Sequence, residues 1–169
     1  MRRLVSLLAS LALTLAVAAP AAAQGPERNW LPEEVIPFGP EYCGFPVLLE
    51  DQFAKVKELI FPPDGEGNQR IIVTGIYKST LTNETTGEAI GINIPGKLTI
   101  HFLADGSSVW HGSGHILVWY TPDQADESEL GAGLFLVRGR VTEVYDADFN
   151  LIEATSTGRV TDLCAQLAA

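Results

Sequence analysis

The two cysteines of the chain, Cys43 and Cys164, limit its possible folds more than any other feature of the sequence. They lie just before the first and just after the last of a series of short strand-like segments. In an exported protein such a pair predicts a disulfide, which requires Cα atoms within about 7 Å of each other. The outer strands of a flat eight-stranded sheet would stand roughly 34 Å apart. The pairing therefore excludes a flat open sheet.

The N-terminus has the features of a secretory signal peptide. Arg2 and Arg3 precede an apolar run from Leu4 to Val17, and small residues follow up to Ala23. This pattern predicts a leader that is cut after Ala23, which leaves 146 of the 169 residues as a released, extracellular protein. The chain has no later run of 18 apolar residues and no cysteine at the cleavage point, so no membrane anchor is expected.

Acidic residues dominate the mature chain. Loss of Arg2 and Arg3 leaves 9 basic residues against 21 acidic ones, a formal charge of −12. Such a surface repels a phosphate backbone, so nucleic acid is a poor partner. No glycine-rich phosphate-binding pattern opens a helix, and the sequence predicts no cofactor.

The mature chain begins with a proline-rich arm and continues as strands. Prolines mixed with large apolar side chains over residues 24–42 predict an extended arm that lies against the body. Eight strands are predicted from apolar stretches separated by Gly, Asp and Asn turns, at Gly44–Glu50, Lys55–Phe61, Arg70–Thr82, Ala89–Ile94, Lys97–Leu103, Ser108–Tyr120, Gly133–Tyr145 and Asn150–Thr161. For the second strand, the spacing of Phe53, Val56 and Ile60 leaves a helix as the alternative.

An antiparallel up-and-down barrel fits the disulfide best. With an even number of strands, the start of the first and the end of the last meet at the same rim. A two-layer β-sandwich also brings the ends together and is the alternative. The predicted architecture is thus all-β: a signal peptide over residues 1–23, an arm over 24–42 and an eight-stranded barrel over 43–169, closed by one disulfide. Alternating apolar side chains are expected to line its interior: Ile90, Ile92, Ile94, Leu98, Ile100 and Phe102.

All three histidines, His101, His111 and His115, lie within fifteen positions and suggest a metal site. Strand geometry argues against one, because four residues of strand span about 13 Å and two ligands of one zinc ion each lie near 2 Å from it. An Asp105-Gly106 turn between the fifth and sixth strands would also place His101 and His111 on opposite faces. We therefore predict no metal site unless a bulge interrupts the sixth strand.

Three segments imitate functional motifs but fit turns or loops better. The run from Asp146 to Asn150 resembles the first half of a calcium loop, yet Leu151 stands where that loop needs Gly and Thr157 where it needs Glu. Asn83 fits a glycosylation acceptor, but a turn residue is its expected role. The long acidic loop Thr121–Gly133 is expected to be either a solvated loop or a lid over a binding site.

Two framing motifs resemble those of a group of secreted all-β bacterial proteins that have no assigned activity. Cys43-Gly44-Phe45-Pro46-Val47 opens the body, and Thr161-Asp162-Leu163-Cys164 ends it. The resemblance covers most of the region from Cys43 to Ala165 and implies a shared fold, without functional residues that carry over. In architecture alone, the predicted barrel is similar to lipocalin-type and allene-oxide-cyclase-type barrels.

The sequence favours a binding protein over an enzyme. An eight-stranded barrel is wide enough either to fill with side chains or to hold one small ligand. The expected contacts for a small apolar or aromatic molecule lie on the sixth strand: Trp110, His111, His115, Trp119 and Tyr120. The alternatives are a barrel enzyme of cyclase or isomerase type, with His111 or His115 as acid or base, and a structural or interaction protein of the cell envelope.

Overall fold

The structure, a computed structural model, describes residues 25–169 and confirms an all-β chain. The predicted signal peptide, residues 1–23, lies outside the described residues. The strands are β1 (Glu27–Leu31), β2 (Val35–Phe38), β3 (Val47–Ile60), β4 (Gln69–Asn83), β5 (Ala89–Phe102), β6 (Ser108–Tyr120), β7 (Gly133–Tyr145) and β8 (Leu151–Asp162). Two short helices, α1 (Pro40–Cys43) and α2 (Leu163–Leu167), precede β3 and follow β8. Within the described residues, no helix is long and apolar enough to cross a membrane.

Eight strands are present, but they are not the eight of the sequence prediction. The first two predicted strands form one, β3. A bulge between Asp51 and Phe53 lets the strand continue through the polar residues that separate the two predictions. The fourth and fifth also form one, β5, since the Pro95-Gly96 step continues the strand instead of turning. The arm supplies the missing two, because β1 and β2 pair one after the other with the same edge of β3.

The strands form one antiparallel sheet in the order β1-β3-β4-β5-β6-β7-β8, with β2 also on β3. Among residues 25–169, no hydrogen bonds join the β1–β2 edge to β8, so the hydrogen-bonded closure expected of a barrel is absent. The predicted disulfide is confirmed, and it joins the two ends of the body instead. The Cα atoms of Cys43 and Cys164 lie 5.1 Å apart.

A row of glycines crosses the sheet and lets it bend. Cross-strand pairing aligns five of them from β4 to β8, and we call this row the glycine crease: Gly75, Gly96, Gly114, Gly139 and Gly158. The strands approach so closely here that a Cβ on Gly139 would overlap the carbonyl oxygen of Thr157. Because no side chains stand between the strands along the crease, the backbones can bend sharply and still pair.

Contacts across the crease show how far the strands fold back. The side chain of Ile116 covers Gly112, where a Cβ would lie 3.0 Å from it, although four residues of straight strand span about 13 Å. Tyr120 donates a hydrogen bond of 2.7 Å to Glu143, yet the cross-strand partner of Tyr120 is Gly133, at the other end of β7. Strands β6 and β7 therefore double back over their own inner face.

Alternate residues of β7 enter two different cores. The first core cluster consists of Phe38, Val47, Leu49, Leu81, Ile92, Leu134, Leu136, Leu163 and Leu167. The second core cluster consists of Val118, Tyr120, Phe135, Val137, Val141, Leu151 and Ala154. Since all four residues from Leu134 to Val137 are buried, this half of β7 is a middle layer with side chains packed on both faces.

Two expected turn assignments are confirmed. Asp146 accepts hydrogen bonds from the side chain and the backbone N–H of Asn150, and these bonds lower the pKa of the Asp146 carboxyl. The calcium-like run is thus a turn held by its own side chains. Asn83 is buried, accepts a hydrogen bond from the N–H of Thr85 and donates one to the carbonyl of Leu167. A buried amide with these partners is a structural turn residue, not a glycan acceptor.

Candidate functional site

Strands β5 and β6 pair along only half of their length, and a cleft opens where they part. Their pairing ends at Gly96 and Gly114, in the glycine crease. Residues 89–95 of β5 continue beside β4, whereas residues 115–120 of β6 continue beside β7. The cleft therefore lies between two diverging parts of one sheet.

The local sequence explains why the pairing ends at this point. Pro95, just beyond the last pair, has no N–H to donate to β6. Gly114 has a φ of 97°, which residues with side chains rarely adopt. A Cβ on Gly114 would lie 2.7 Å from the carbonyl oxygen of Pro95. The two backbones thus cross closely here and then separate.

The cleft has mostly apolar walls and a volume of about 230 Å³. Its apolar lining comes from β2 to β6: Ile36, Leu49, Val56, Val73, Ile94, Leu98, Ile116, Leu117 and Trp119. Trp119 has 43% of its surface exposed, and its ring packs edge-on against Phe38 with 5.4 Å between centroids. A small apolar molecule in the cleft would meet side chains on several sides, including an indole that is partly open to solvent.

Carboxylate and hydroxyl groups occupy another part of the lining. The hydroxyl of Ser79 donates a 2.5 Å hydrogen bond to Asp51, and the backbone N–H of Glu34 donates one of 3.2 Å to the other carboxylate oxygen. Tyr77 lines the same cleft. Burial raises the pKa of Tyr77, and the negative charges of Asp51 and Glu34 raise it further. At physiological pH, Tyr77 is therefore a neutral phenol that can donate a hydrogen bond.

His115 is the first residue of β6 beyond its last pair with β5, and its ring bridges the gap. Its Nδ1 lies 2.9 Å from the carbonyl oxygen of Asn93. A carbonyl oxygen can only accept, so Nδ1 carries the hydrogen and Nε2 of the neutral ring keeps its lone pair. His115 also lines the cleft. The candidate site therefore includes an imidazole whose Nε2 can accept a hydrogen bond.

Of the five side chains expected to bind a ligand, two line the cleft: His115 and Trp119. Trp110 lies on the other side of the glycine crease and donates a hydrogen bond to Ser108. Its ring packs against Tyr145 and Phe149, with centroid distances of 5.2 and 5.9 Å. Trp110 therefore belongs to an aromatic group beside the β7–β8 turn, away from the cleft.

Tyr120, the fourth of these side chains, is buried against a carboxyl group. Its hydroxyl donates a 2.7 Å hydrogen bond to one oxygen of Glu143, and Tyr145 donates one of 3.3 Å to the other. Burial raises the pKa of Glu143, although both hydrogen bonds act in the opposite direction. Burial and the nearby Glu143 also raise the pKa of both tyrosines well above the usual range. The sequence carried a signal for this site, since Glu143 falls at an inward position of an otherwise apolar alternation.

His111, the fifth, lies exposed on the outer face of the sheet, and the half-buried His101 lies on the same face. The expectation that these two face opposite ways is wrong, and their ring centroids lie 6.1 Å apart. The β5–β6 turn is a three-residue loop with Gly106 at a φ of 90°, so His101 pairs with Val109, one residue from the expected partner. No group of three or more His, Cys, Asp or Glu side chains among residues 25–169 is arranged to hold a metal ion.

The long loop Thr121–Gly133 is docked against β8 and does not line the cleft. The N–H of Ala154 donates to the carbonyl of Glu127, and its carbonyl accepts from the N–H of Glu129, at 2.7 and 3.1 Å. The side chain of Glu129 also accepts from the N–H of Ser156. The loop thus covers the β8 edge of the sheet, and its position does not support the lid interpretation.

Sequence reasoning missed the polar side chains of the cleft. Asp51, Tyr77 and Ser79 occupy inward positions of β3 and β4, where strand alternation predicts apolar residues. The available signal was the pair of inward polar residues on β4, two positions apart. This signal can be recognised only when the register of β3 is known, and that register depends on the bulge before Phe53.

Comparisons with known proteins add no assignment to this geometry. The chain matches no model of a protein family, no curated protein and no solved structure. The resemblance of its framing motifs to those of secreted bacterial proteins stays a prediction from the sequence. A function must therefore be inferred from the cleft itself.

Proposed function

We propose that this protein binds a small, largely apolar or aromatic molecule in the cleft between β5 and β6. The observation that carries this proposal is a cleft of about 230 Å³ with a mostly apolar lining. A cavity of about 150 Å³ is enough to hold benzene, so this cleft has room for a molecule of one or two rings. The indole of Trp119 would pack against a bound ring at the mouth.

The polar part of the lining would orient the ligand. Asp51 and Glu34 bring negative charge to the cleft, and the phenol of Tyr77 can donate a hydrogen bond. A hydroxyl or an amine on the ligand would bond to these groups. Lys97 also lines the cleft, but an anionic ligand would face two carboxylates against this one ammonium group, and the formal charge of −12 on the mature chain. The expected ligand is therefore neutral or cationic.

We also propose that the protein is exported and released. The disulfide between Cys43 and Cys164 supports this, because such bonds persist in oxidising compartments. Mass spectrometry of the protein from its natural source tests the proposal. An N-terminus at Gln24 is the expected result, and a mature protein that keeps residues 1–23 would contradict it.

A fluorescence titration tests ligand binding. The chain has 3 tryptophans, so in the Trp30→Phe/Trp110→Phe variant only Trp119 emits and reports on the cleft mouth. The probes are toluene, cyclohexanol and the cationic phenethylamine, which do not emit in the tryptophan range, with benzoate as the anionic comparison. We expect a saturable change with the first three and none with benzoate.

Two matched variants separate the cleft from nonspecific binding. Val73→Phe fills the cleft and should weaken binding at least about tenfold, a loss of roughly 1.4 kcal/mol. Ile71→Phe adds bulk to the same face of β4 outside the cleft and should leave affinity unchanged. Equal effects of the two variants would contradict the proposal. The absence of a saturable signal with every probe would also contradict it and would favour a structural or interaction role.

An enzyme that acts on an apolar substrate is the second candidate, and the geometry of His115 favours it. The lone pair on Nε2 can accept a proton, and the neutral Tyr77 in the same cleft can donate one. These are the two halves of an acid–base isomerisation. Mass spectrometry of a bound probe after incubation separates the candidates. Conversion by wild type that is lost in His115→Asn at equal affinity indicates an enzyme, whereas an unchanged probe indicates binding alone.

A further inference from the structure

All basic residues in the described part of the chain lie on one face of the sheet. Paired residues and alternate residues along a strand share a face. The strand register therefore places nine side chains on one face, which at the start of β7 also carries the buried Leu134 and Leu136. These nine side chains are Arg28, Lys55, Lys57, Arg70, Lys78, Lys97, Arg138, Arg140 and Arg159. Of the acidic residues within strands, Glu50 and Glu153 share this face. A chain with a formal charge of −12 thus presents a distinct basic surface.

One row on this surface, which we call the cation row, alternates cations with hydroxyl groups. From β3 to β8 it consists of Lys57, Thr74, Lys97, Ser113, Arg140 and Thr157. The cations occur on every second strand, so neighbouring ones stand about 10 Å apart at roughly 4.8 Å per strand. The row runs across the strands, one residue from the glycine crease.

A hollow of about 360 Å³ marks the middle of the cation row. Lys97 and Arg140 flank it, with His111 and Thr142 beside them. The His111 ring is held by a 3.2 Å hydrogen bond with the Thr142 hydroxyl. Both Lys97 and Arg140 are exposed, so an anionic group that enters the hollow would meet a cation on each side.

Acidic turns limit what can approach this face. Asp64, Asp105 and Asp146 lie in the turns at one end of the strands, and Glu84 and Glu88 lie in a turn at the other end. A broad polyanionic surface would meet these carboxylates, whereas one thin chain laid across the strands would avoid both ends. B-DNA carries one charge per roughly 1.7 Å, far denser than cations spaced at about 10 Å.

We propose that the cation row binds a linear anionic polysaccharide whose charges are widely spaced. One anionic group would lie between Lys97 and Arg140, where the guanidinium can form a bidentate pair with a carboxylate. The hydroxyls of Thr74, Ser113 and Thr157 can bond to sugar hydroxyls between the charged contacts. Thr74 and Lys97 also border the cleft, but this proposal does not depend on the ligand proposed there.

Binding to immobilised hyaluronan, which has one carboxylate per disaccharide, tests the proposal, with neutral dextran as the comparison. Lys97→Gln/Arg140→Gln should weaken binding at least about tenfold, because it removes both cations at the hollow. Lys78→Gln/Arg159→Gln removes two exposed cations from the same face outside the row and should weaken it less than about twofold. Thermal unfolding of both variants should match wild type, since all four side chains are exposed.

Equal weakening by the two double variants would overturn the proposal, because the attraction would then come from the basic face as a whole. The absence of hyaluronan binding at low salt would also overturn it. So would tighter binding to phosphatidylglycerol vesicles or to duplex DNA than to hyaluronan. Should a double variant prove unstable, Arg140→Gln measured against Arg159→Gln makes the same comparison.

Discussion

The two core clusters share strand β7 but differ in what they enclose. The first is apolar, and Cys43 and Cys164 pack against it beside the disulfide. The second contains Tyr120, whose hydroxyl is bonded to the buried carboxyl group of Glu143. The disulfide stabilises the first cluster, whereas the second is enclosed by the bent sheet and packs around the ionisable side chain of Glu143. The first cluster should therefore respond to reduction, and the second to pH and to changes at the glycine crease.

Loss of the disulfide should have the largest effect. The two cysteines are 121 residues apart, and in the chain-entropy model such a bridge contributes about 5 kcal/mol. Cys43→Ser/Cys164→Ser should lower the free energy of unfolding by about that amount in chemical denaturation. Hydrogen exchange should show amides of the first cluster, such as Leu134, opening more than those of the second, such as Val141. Equal denaturation midpoints for the variant and wild type would show that the bridge does not stabilise the fold.

A side chain in the glycine crease should have the next largest effect. Gly139→Ala places a Cβ onto the carbonyl oxygen of Thr157, a backbone atom that cannot move aside. We expect a loss of roughly 3 kcal/mol in unfolding free energy, at the upper end for overpacking. The matched control is Gly91→Ala in β5, where a Cβ meets no atom within 4 Å. A control as destabilised as Gly139→Ala would contradict the role of the crease.

The smallest expected effect is on the pH dependence of stability. Burial raises the pKa of Glu143 in the folded protein, so the folded state binds a proton more readily than the unfolded chain. The stability linked to this group is full below its ordinary pKa of 4.5 and is lost as pH rises through the higher folded value. Unfolding free energies of wild type should therefore fall relative to Glu143→Gln as pH rises. Each unit of pKa difference contributes about 1.4 kcal/mol.

The control for this pH series is Glu153→Gln. Glu153 is exposed on β8, so its replacement removes the same charge without changing a buried group. The stability of this variant should follow the wild-type curve across the series. Parallel curves for wild type and Glu143→Gln would show that Glu143 does not titrate differently in the folded state.

Features determined by local chemistry could be predicted from the sequence. The turn at Asp146 follows from side chains that bond to their own backbone, and the buried Ile92 and Ile100 follow from period-two alternation. The disulfide follows from a cysteine count of 2 and the leader. None of these inferences requires knowing which strands are neighbours or in which register they pair.

Features determined by register could not be predicted in the same way. The crease glycines are scattered along the sequence from Gly75 to Gly158 and align only when five strands are correctly paired. The sequence prediction placed the partner of His101 one residue away from the observed Val109, and this shift alone assigned His101 to the wrong face. The same limit applies to the cleft. His115 and Trp119 were expected to bind a ligand, but the parting of β5 from β6 that brings them together has no local signature.

The measurement that tests the central proposal most directly is the site of ligand contact. Two-dimensional ¹⁵N NMR spectra of the protein, recorded with increasing indole, should show saturable shifts at the cleft. The expected positions are Val73, Ile94, Leu98 and Ile116, which line it, and the indole N–H of Trp119. Shifts centred instead on the aromatic group of Trp110, Tyr145 and Phe149, or no saturable shifts, would contradict a binding site between β5 and β6.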